Sequence, residues 1–155
     1  MYTKILVPMD GSEIAECVLP ILEWFVRVSN VKEIVIIRVV EPMHMRDDIE
    51  KHIPPDERKH IEEDSRELAE AYCKKIISRL KNNEVTKTAT VLTGKPARAI
   101  TEYVTKDKEI DLIIMATHGR SGVGRLLHGS TADQIIHDAV VPIMLVTPHD
   151  RKPDR

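Results

Sequence analysis

The chain has 155 residues, with 23 lysines and arginines against 25 aspartates and glutamates. This length fits one domain that buries a sizeable core without disulfide support, and the near-neutral charge gives no sign of nucleic acid or an anionic membrane as a partner. One tryptophan, three tyrosines and one phenylalanine are too few for a base-stacking surface, so we expect no nucleic-acid partner.

Four short apolar runs predict strands that are buried on both faces. They are rich in isoleucine and valine and do not alternate with polar residues, as is typical of a parallel sheet covered by helices on both sides. The four runs are Ile5–Val7, Ile34–Val40, Leu112–Ala116 and Ile143–Val146. A fifth segment, Thr86–Leu92, does alternate, so we expect it at an edge of the sheet with one face toward water.

Helical patterns lie between these strands. They cover Glu13–Val28, where Pro20 is expected to kink the helix, and Asp56–Leu80, Pro96–Thr105 and Thr131–Ala139. The strict alternation of strand and helix predicts a single-domain α/β fold, a doubly wound five-stranded parallel sheet with right-handed crossovers and helices on both faces. We expect residues 1–147 to form this domain and residues 148–155 to form a polar tail.

The compartment is predicted from the N-terminus and the cysteines. The apolar run that begins at Ile5 is too short for a signal peptide, and no apolar stretch approaches the ~20 residues that span a bilayer. Cys17 and Cys73 form no C-x-x-C pair and fall inside helical patterns, so we interpret them as reduced, buried small side chains. We therefore expect a cytoplasmic protein without a membrane partner.

Two strand ends carry residues that suggest a binding site, because ligands of open α/β sheets bind at the carboxyl ends of the strands. Asp10 follows the first strand, where its carboxylate can accept hydrogen bonds from ribose hydroxyls. Asp10-x-x-Glu13 also fits a capping box, and Ser12 is an equally good helix cap, so local sequence alone favours the cap. Val39 ends the second strand, and such an apolar residue fits either an adenine pocket or the core.

The segment Ala116–Thr131 is the most informative. It contains four of the six glycines of the chain, follows a buried strand and precedes a helix. Glycines let backbone N–H groups approach a phosphate closely, and the free N–H groups at the start of the following helix favour an anion. A loop that only caps the helix, through the box Thr131-x-x-Gln134, is the simpler alternative. The two roles are compatible because both use the same unpaired donors.

Several other sites are not predicted. The chain has no G-x-x-x-x-G-K-[ST] segment and no G-x-G-x-x-G after the first strand, so neither a P-loop ATPase nor a dinucleotide site is expected. Its histidines show no H-x-x-x-H or HExxH spacing, so we expect no zinc site. We can name no pair of nucleophile and base, and we assign no catalytic residue.

The chain resembles the universal stress protein family along most of its length. The likeness rests on K-I-L-V-P-M-D-G-S at Lys4–Ser12, I-I-R-V-V at Ile36–Val40, D-L-I-I-M-A-T-H-G-R-S-G at Asp111–Gly122, G-S-T-A-D at Gly129–Asp133 and V-P-I-M-L-V at Val141–Val146. The resemblance implies a flavodoxin-like sheet with strand order 3-2-1-4-5. It also implies a homodimer formed through the edge strand Ile143–Val146, whose apolar character invites pairing with another chain.

The ATP-binding branch of that family carries the pattern G-x2-G-x9-G-[ST], of which this chain has all but the first glycine, replaced by Ala116. Position by position, the resemblance implies nucleotide-binding roles for Pro8, Asp10, Val39, Met115, Ala116, Gly119, Gly129, Ser130 and Thr131. Arg120 joins this set from the residues alone, because its charge can help to hold a phosphate. It implies ATP or AMP as the ligand, with Mg²⁺ or Mn²⁺ brought by the phosphates.

We therefore expect a stress-linked regulatory protein that binds ATP or AMP and acts as a nucleotide-dependent dimeric switch. The first alternative is a dimeric interaction module that binds no nucleotide. The second is an enzyme, at most a weak ATPase, for which the sequence offers only Asp10 and His118 as groups near a γ-phosphate.

Overall fold

Five parallel strands form one sheet with the order β3-β2-β1-β4-β5. The computed structural model describes residues 2–42, 54–81, 84–117 and 130–148. The strands are β1 (Lys4–Pro8), β2 (Glu33–Val40), β3 (Thr86–Thr93), β4 (Leu112–Ala116) and β5 (Ile143–Val146). The helices are α1 (Leu19–Val28), α2 (Pro55–Arg79), α3 (Pro96–Lys106) and α4 (Ser130–Asp138). The α/β fold and the strand order predicted from the sequence and its family resemblance are confirmed.

Two apolar layers cover the two faces of the sheet. On one face, Ile34 and Ile36 of β2 pack with residues of α1 and α2 such as Leu22 and Ile76. On the other face, the intervening residues of β2 pack against Ile100 of α3 and Ile135 of α4. Because successive side chains of a strand point to opposite faces, a strand buried on both sides must be apolar throughout. That explains why the central strands show no alternation.

The predicted edge position of Thr86–Leu92 is also confirmed. Among the residues that the structure describes, strand β3 pairs with β2 alone, over the whole range from Glu33–Thr86 to Val40–Thr93, and its residues are half-buried or exposed. The tail from residue 149 onward and most of the long loop after β2 lie outside the described residues. Within the described ranges, no helix is both long enough and apolar enough to cross a membrane.

The prediction of one kinked helix over Glu13–Val28 was wrong. The segment begins with a 3₁₀ turn at Ala15–Val18, and the α-helix starts only at Leu19. Pro20 therefore lies in the first turn of α1, where its missing N–H would have had no partner within the helix. The proline thus sets the start of the α-helix and does not bend it.

The position of Leu68 on helix α2 also differs from expectation. Its spacing from Tyr72 and Ile76 predicts an inward position, but its side chain is 70% exposed. Ala69 and Cys73 occupy the buried stripe together with Ile76, one residue further round the helix. Cys73 is buried as predicted, while Cys17 is half-buried.

At the amino ends of the strands, a polar cluster joins β1 to β4. The Asp111 carboxylate accepts hydrogen bonds from the Thr3 N–H at 2.7 Å, the Thr3 hydroxyl at 2.9 Å and the Lys4 N–H at 3.2 Å. The Lys4 ammonium, which is 13% exposed, lies 3.1 Å from Glu33 and 3.0 Å from Asp107. Burial disfavours the charge of Lys4, but its hydrogen bonds with Asp107 and Glu33 outweigh this effect and raise its pKa. The cluster fixes the relative position of β1, β2 and β4 at this end.

Substitution of Asp111 tests how much this cluster contributes to stability. Asp111→Ala leaves two backbone N–H groups and one hydroxyl without their acceptor, so we expect a loss of about 2–3 kcal/mol in the free energy of unfolding. Asp111→Asn keeps an acceptor oxygen and is expected to cost less. Urea denaturation measures both. An Asp111→Ala variant as stable as Glu67→Ala, at an exposed position of α2 away from the cluster, would contradict this role.

Candidate functional site

A cavity of about 320 Å³ opens at the carboxyl ends of the central strands. It lies where β1 and β4, neighbours in the sheet, send the chain to opposite faces: α1 packs on one face and α4 on the other. Such a point is the usual ligand site of an open α/β sheet. The lining is mostly apolar, and Asp10 and Glu41 are its only charged side chains among the described residues.

Six of the predicted site residues line this one cavity: Pro8, Asp10, Val39, Met115, Ala116 and Thr131. Ser130 opens helix α4, but its side chain, like the whole of Gly119, Arg120 and Gly129, lies outside the described residues. These six residues come from β1 and the loop after it, from β2, from β4 and from α4, and the fold places them around one cavity.

Other lining residues were not predicted. Ile37, Ile100 and Ile135 contribute apolar walls from β2, α3 and α4. Their positions in a strand and on helical faces were visible in the sequence, but an apolar residue at such a position is more often core than cavity wall. Glu41 carries a clearer signal, because it is the first charged residue after β2, at the same edge as Asp10.

The loop after β1 is held by two side-chain hydrogen bonds. The Ser12 N–H donates to Asp10 Oδ1 at 2.8 Å, and the Ala15 N–H donates to Ser12 Oγ at 3.1 Å. Ser12 therefore satisfies the first N–H group of the 3₁₀ turn, while Asp10 closes a turn of its own loop and does not bond to Glu13 as a capping box requires. The other oxygen of the exposed Asp10 carboxylate accepts no hydrogen bond from the described part of the chain. The helix-start role belongs to Ser12, and Asp10 keeps an acceptor at the cavity.

The backbone of Val39 extends past the end of β1. The Met9 N–H donates to the Ile37 carbonyl at 2.8 Å, beyond the last β1–β2 pair at Pro8–Ile37. In a parallel ladder, alternate residues point their N–H and C=O groups toward the same neighbour. Val39, two residues beyond Ile37, thus turns a donor and an acceptor toward the β1 side, where the cavity has replaced the strand.

The opposite wall of the cavity comes from the end of β4 and the start of α4. Ala116 is half-buried, and the next residue, Thr117, is buried and donates its N–H to the Val146 carbonyl at 2.9 Å. The sequence offers Thr131 as a helix cap, but Thr131 is the second residue of α4. The cap position itself falls on residue 129, outside the described residues.

Behind the Asp10 loop lies a cation that the sequence did not single out. The Arg38 guanidinium carbon is 5.1 Å from the centre of the Tyr72 ring, and a Cβ atom placed on Gly11 would lie only 3.0 Å from it. Burial, followed by the charges of Glu16 and Asp10, raises the pKa of Tyr72 to about 12, and the Arg38 cation opposes this shift. No local motif marks this contact, because its partners are far apart in the chain.

Residues 1–147 match the family model for the universal stress protein family. The chain belongs to this family. Universal stress protein MJ0531 of Methanocaldococcus jannaschii is 28% identical over 158 aligned residues, which cover 94% of this chain and 82% of that protein. The family resemblance predicted from the sequence is confirmed.

Solved structures of universal stress proteins share the fold. The structure of MJ0577 superposes with a TM-score of 0.78 and 24% identity, covering 97% of this chain and 99% of that one. A universal stress protein in complex with cAMP has a TM-score of 0.67 and 19% identity over 96% of this chain and 98% of that one. A family member from Arabidopsis thaliana with AMP bound has a TM-score of 0.64 and 14% identity, covering 98% and 95%.

Proposed function

We propose that this universal stress protein binds an adenine nucleotide, ATP or AMP, in the cavity at the ends of β1 and β4, and acts as a regulatory protein in a stress response. The observation that carries the proposal is the cavity itself, an apolar slot with the Asp10 carboxylate and the Val39 backbone at its rim. Family members of the same fold that were solved with cAMP and with AMP support the choice of an adenine nucleotide.

The adenine ring fits the apolar part of the cavity. Its base-pairing edge carries an amino donor beside a ring-nitrogen acceptor, and the C=O and N–H groups of Val39 are the complementary pair. Ile37, Met115 and Ile100 supply apolar surface on which a flat ring can be buried. Guanine has a carbonyl oxygen where adenine has its amino group. That oxygen would face the Val39 carbonyl, and two acceptors cannot form a hydrogen bond, so this site favours adenine over guanine.

Asp10 is our candidate for the ribose. An ionised carboxylate is an acceptor only, and its hydrogen bonds with neutral donors are among the stronger ones. One oxygen already accepts the Ser12 N–H, which holds the carboxylate in place, and the other is available to the ribose hydroxyls. A carboxylate would repel phosphates, so the phosphates are expected on the opposite side of the cavity.

The phosphates are assigned to the segment Ala116–Thr131. Helix α4 begins at this end of the sheet, and its first N–H groups and its dipole favour an anion. Gly119, Arg120 and Gly129 complete this part of the proposal from the sequence pattern alone. Mg²⁺ or Mn²⁺ would come with the phosphates, as hard cations usually do at nucleotide sites.

Calorimetry with ATP or AMP in the presence of Mg²⁺ tests the proposal. Asp10→Ala is expected to weaken binding by roughly tenfold or more, because a charge-assisted hydrogen bond contributes about 1.5–3 kcal/mol. Glu102→Ala, an exposed acidic residue on α3, is the matched control and should bind like the parent protein. The absence of both heat and a thermal shift at millimolar nucleotide would refute nucleotide binding and favour the nucleotide-free interaction module.

Ala116 provides a second test, because the family pattern has glycine at this position. If its methyl group crowds the nucleotide, Ala116→Gly should tighten ATP binding several-fold. The same change should lower the free energy of unfolding by about 0.5–1 kcal/mol, the usual cost of glycine in a strand. Ala89→Gly in the remote edge strand β3 controls for that cost. Equal ATP affinity in the parent and Ala116→Gly would show that the methyl group is no obstacle.

We further propose that the protein is a homodimer paired along β5. The carbonyls of Pro142 and Val146 accept hydrogen bonds from the β4 side, so Ile143 and Leu145 turn their N–H and C=O groups outward. The side chains of this strand are all half-buried. An apolar edge with free backbone groups favours pairing with another chain.

Native mass spectrometry of two proline variants tests this arrangement. Leu145→Pro removes an outward N–H and should convert dimers to monomers while leaving the bonds with β4 intact. Met144→Pro removes an N–H that faces β4 and should instead lower the melting temperature. A dimer that survives Leu145→Pro would place the interface elsewhere. The same spectra, recorded with and without ATP, show whether nucleotide changes the oligomeric state, as a switch requires.

A further inference from the structure

Arg38 lies behind the site and not in it. Along β2, Ile34 and Ile36 face the α1/α2 side of the sheet, and Arg38 continues this series because alternate residues share a face. Ile37 and Val39, which line the cavity, belong to the opposite series. The guanidinium therefore reaches the Asp10 loop from the back, and any effect that it has on a ligand must act through another group.

The guanidinium fills the space between the loop and helix α2. It packs against Gly11, whose φ of +89° is a conformation that glycine adopts without strain. On its other side it lies over the Tyr72 ring, in cation–π geometry. Gly11 separates Asp10 from Ser12, the two residues joined by the hydrogen bond that closes the turn.

The tyrosine beneath the guanidinium is itself held in place. Its hydroxyl donates to Glu16 Oε1 at 3.5 Å, and the other oxygen of Glu16 forms an ion pair with Arg79 at the end of α2. Glu16 belongs to the 3₁₀ turn that follows the loop. Arg38 thus contacts the loop at Gly11, and Glu16 lies in the turn that follows the loop. Both residues also contact Tyr72.

From this arrangement we infer that Arg38 is a positioning residue: stacked between Gly11 and the Tyr72 ring, it holds the turn that aims Asp10 at the cavity. The inference rests on the proposed function for its effect on nucleotide affinity, but the support of the loop is a property of the protein without ligand. The two can be measured separately.

Nitrogen relaxation and chemical shifts of the Gly11 and Ser12 amides, recorded without nucleotide, test the support directly. Arg38→Met keeps an unbranched side chain but removes the planar cation, so the order parameters of both amides should fall toward values typical of a mobile loop. Arg38→Lys keeps the charge without the flat surface and should restore them only in part. Tyr72→Phe keeps the ring beneath the guanidinium and loses only the bond to Glu16, so it should mobilise the turn less than Tyr72→Leu, which removes the ring as well. Arg66→Met, at an exposed position on α2, is the control.

A double-substitution cycle tests the consequence for binding. Arg38→Met should weaken ATP binding by roughly three- to tenfold, in line with the usual strength of a cation–π contact. In the Asp10→Ala background the same change should cost less than twofold, since the group that it positions is gone. An equal loss in both backgrounds would overturn the inference, because Arg38 would then act on the nucleotide by another route.

The outcomes separate the two proposals. If Arg38→Met mobilises Gly11 and Ser12 in a protein that binds no nucleotide, the positioning role stands and the proposed function fails. If ATP binds but the amides of Arg38→Met keep the parent order parameters, the proposed function stands and the positioning role fails.

Discussion

The site exists because β1 stops before β2 does. The ladder between them ends at Pro8–Ile37, with one further bond from Met9, while β2 continues to Val40 with β3 still paired along its other edge. The last residues of β2 therefore keep their geometry on one side and lose their partner on the other. A rigid strand with unused donors and acceptors is a preorganised binding surface, because little conformational entropy is lost when a ligand binds to it.

The reversal of the chain at β1 and β4 creates the space for that ligand. After β1 the chain moves to the face covered by α1, and after β4 it moves to the face covered by α4. The cavity lies between these two helices and is lined by residues of both β4 and α4. Strand β2 then contributes on both faces: Ile37 and Val39 face the cavity, and Arg38 between them supports the Asp10 loop from behind. The two-residue period of a strand gives adjacent residues these different tasks.

Features that depend on residues close together in the chain could be predicted from the sequence. Burial on both faces leaves an unbroken apolar run such as Ile34–Val40, so the strands and their order in the chain were recoverable. The cavity residues at or just after strand ends, Pro8, Asp10 and Ala116, were recoverable because the fold class itself places the carboxyl ends of strands together. The turn at Ala15–Val18 was missed, since a proline at position 20 is compatible with both a kink and a helix start.

The contact of Arg38 with Gly11 and Tyr72 shows where such prediction ends. The three residues come from a strand, a loop and a helix, and nothing in the spacing of their positions distinguishes this arginine from a solvated one. The glycine could be explained locally by a turn, and the tyrosine by the amphipathic pattern of its helix. Only the packing of α2 against this face of the sheet brings the three together, and no sequence period encodes it.

The two ends of the sheet are held differently, and this difference bears on function. At the amino ends, Asp111 and Lys4 tie β1, β2 and β4 together through backbone and charged groups. At the carboxyl ends, the described links between β1 and β4 stop at Leu6–Ile113, and the cavity lies beyond. A ligand bound there would contact β1 and β4 beyond the last residues that the two strands pair. The binding energy of the proposed nucleotide is therefore available to fix the relative position of these strand ends, as the proposed regulatory role requires.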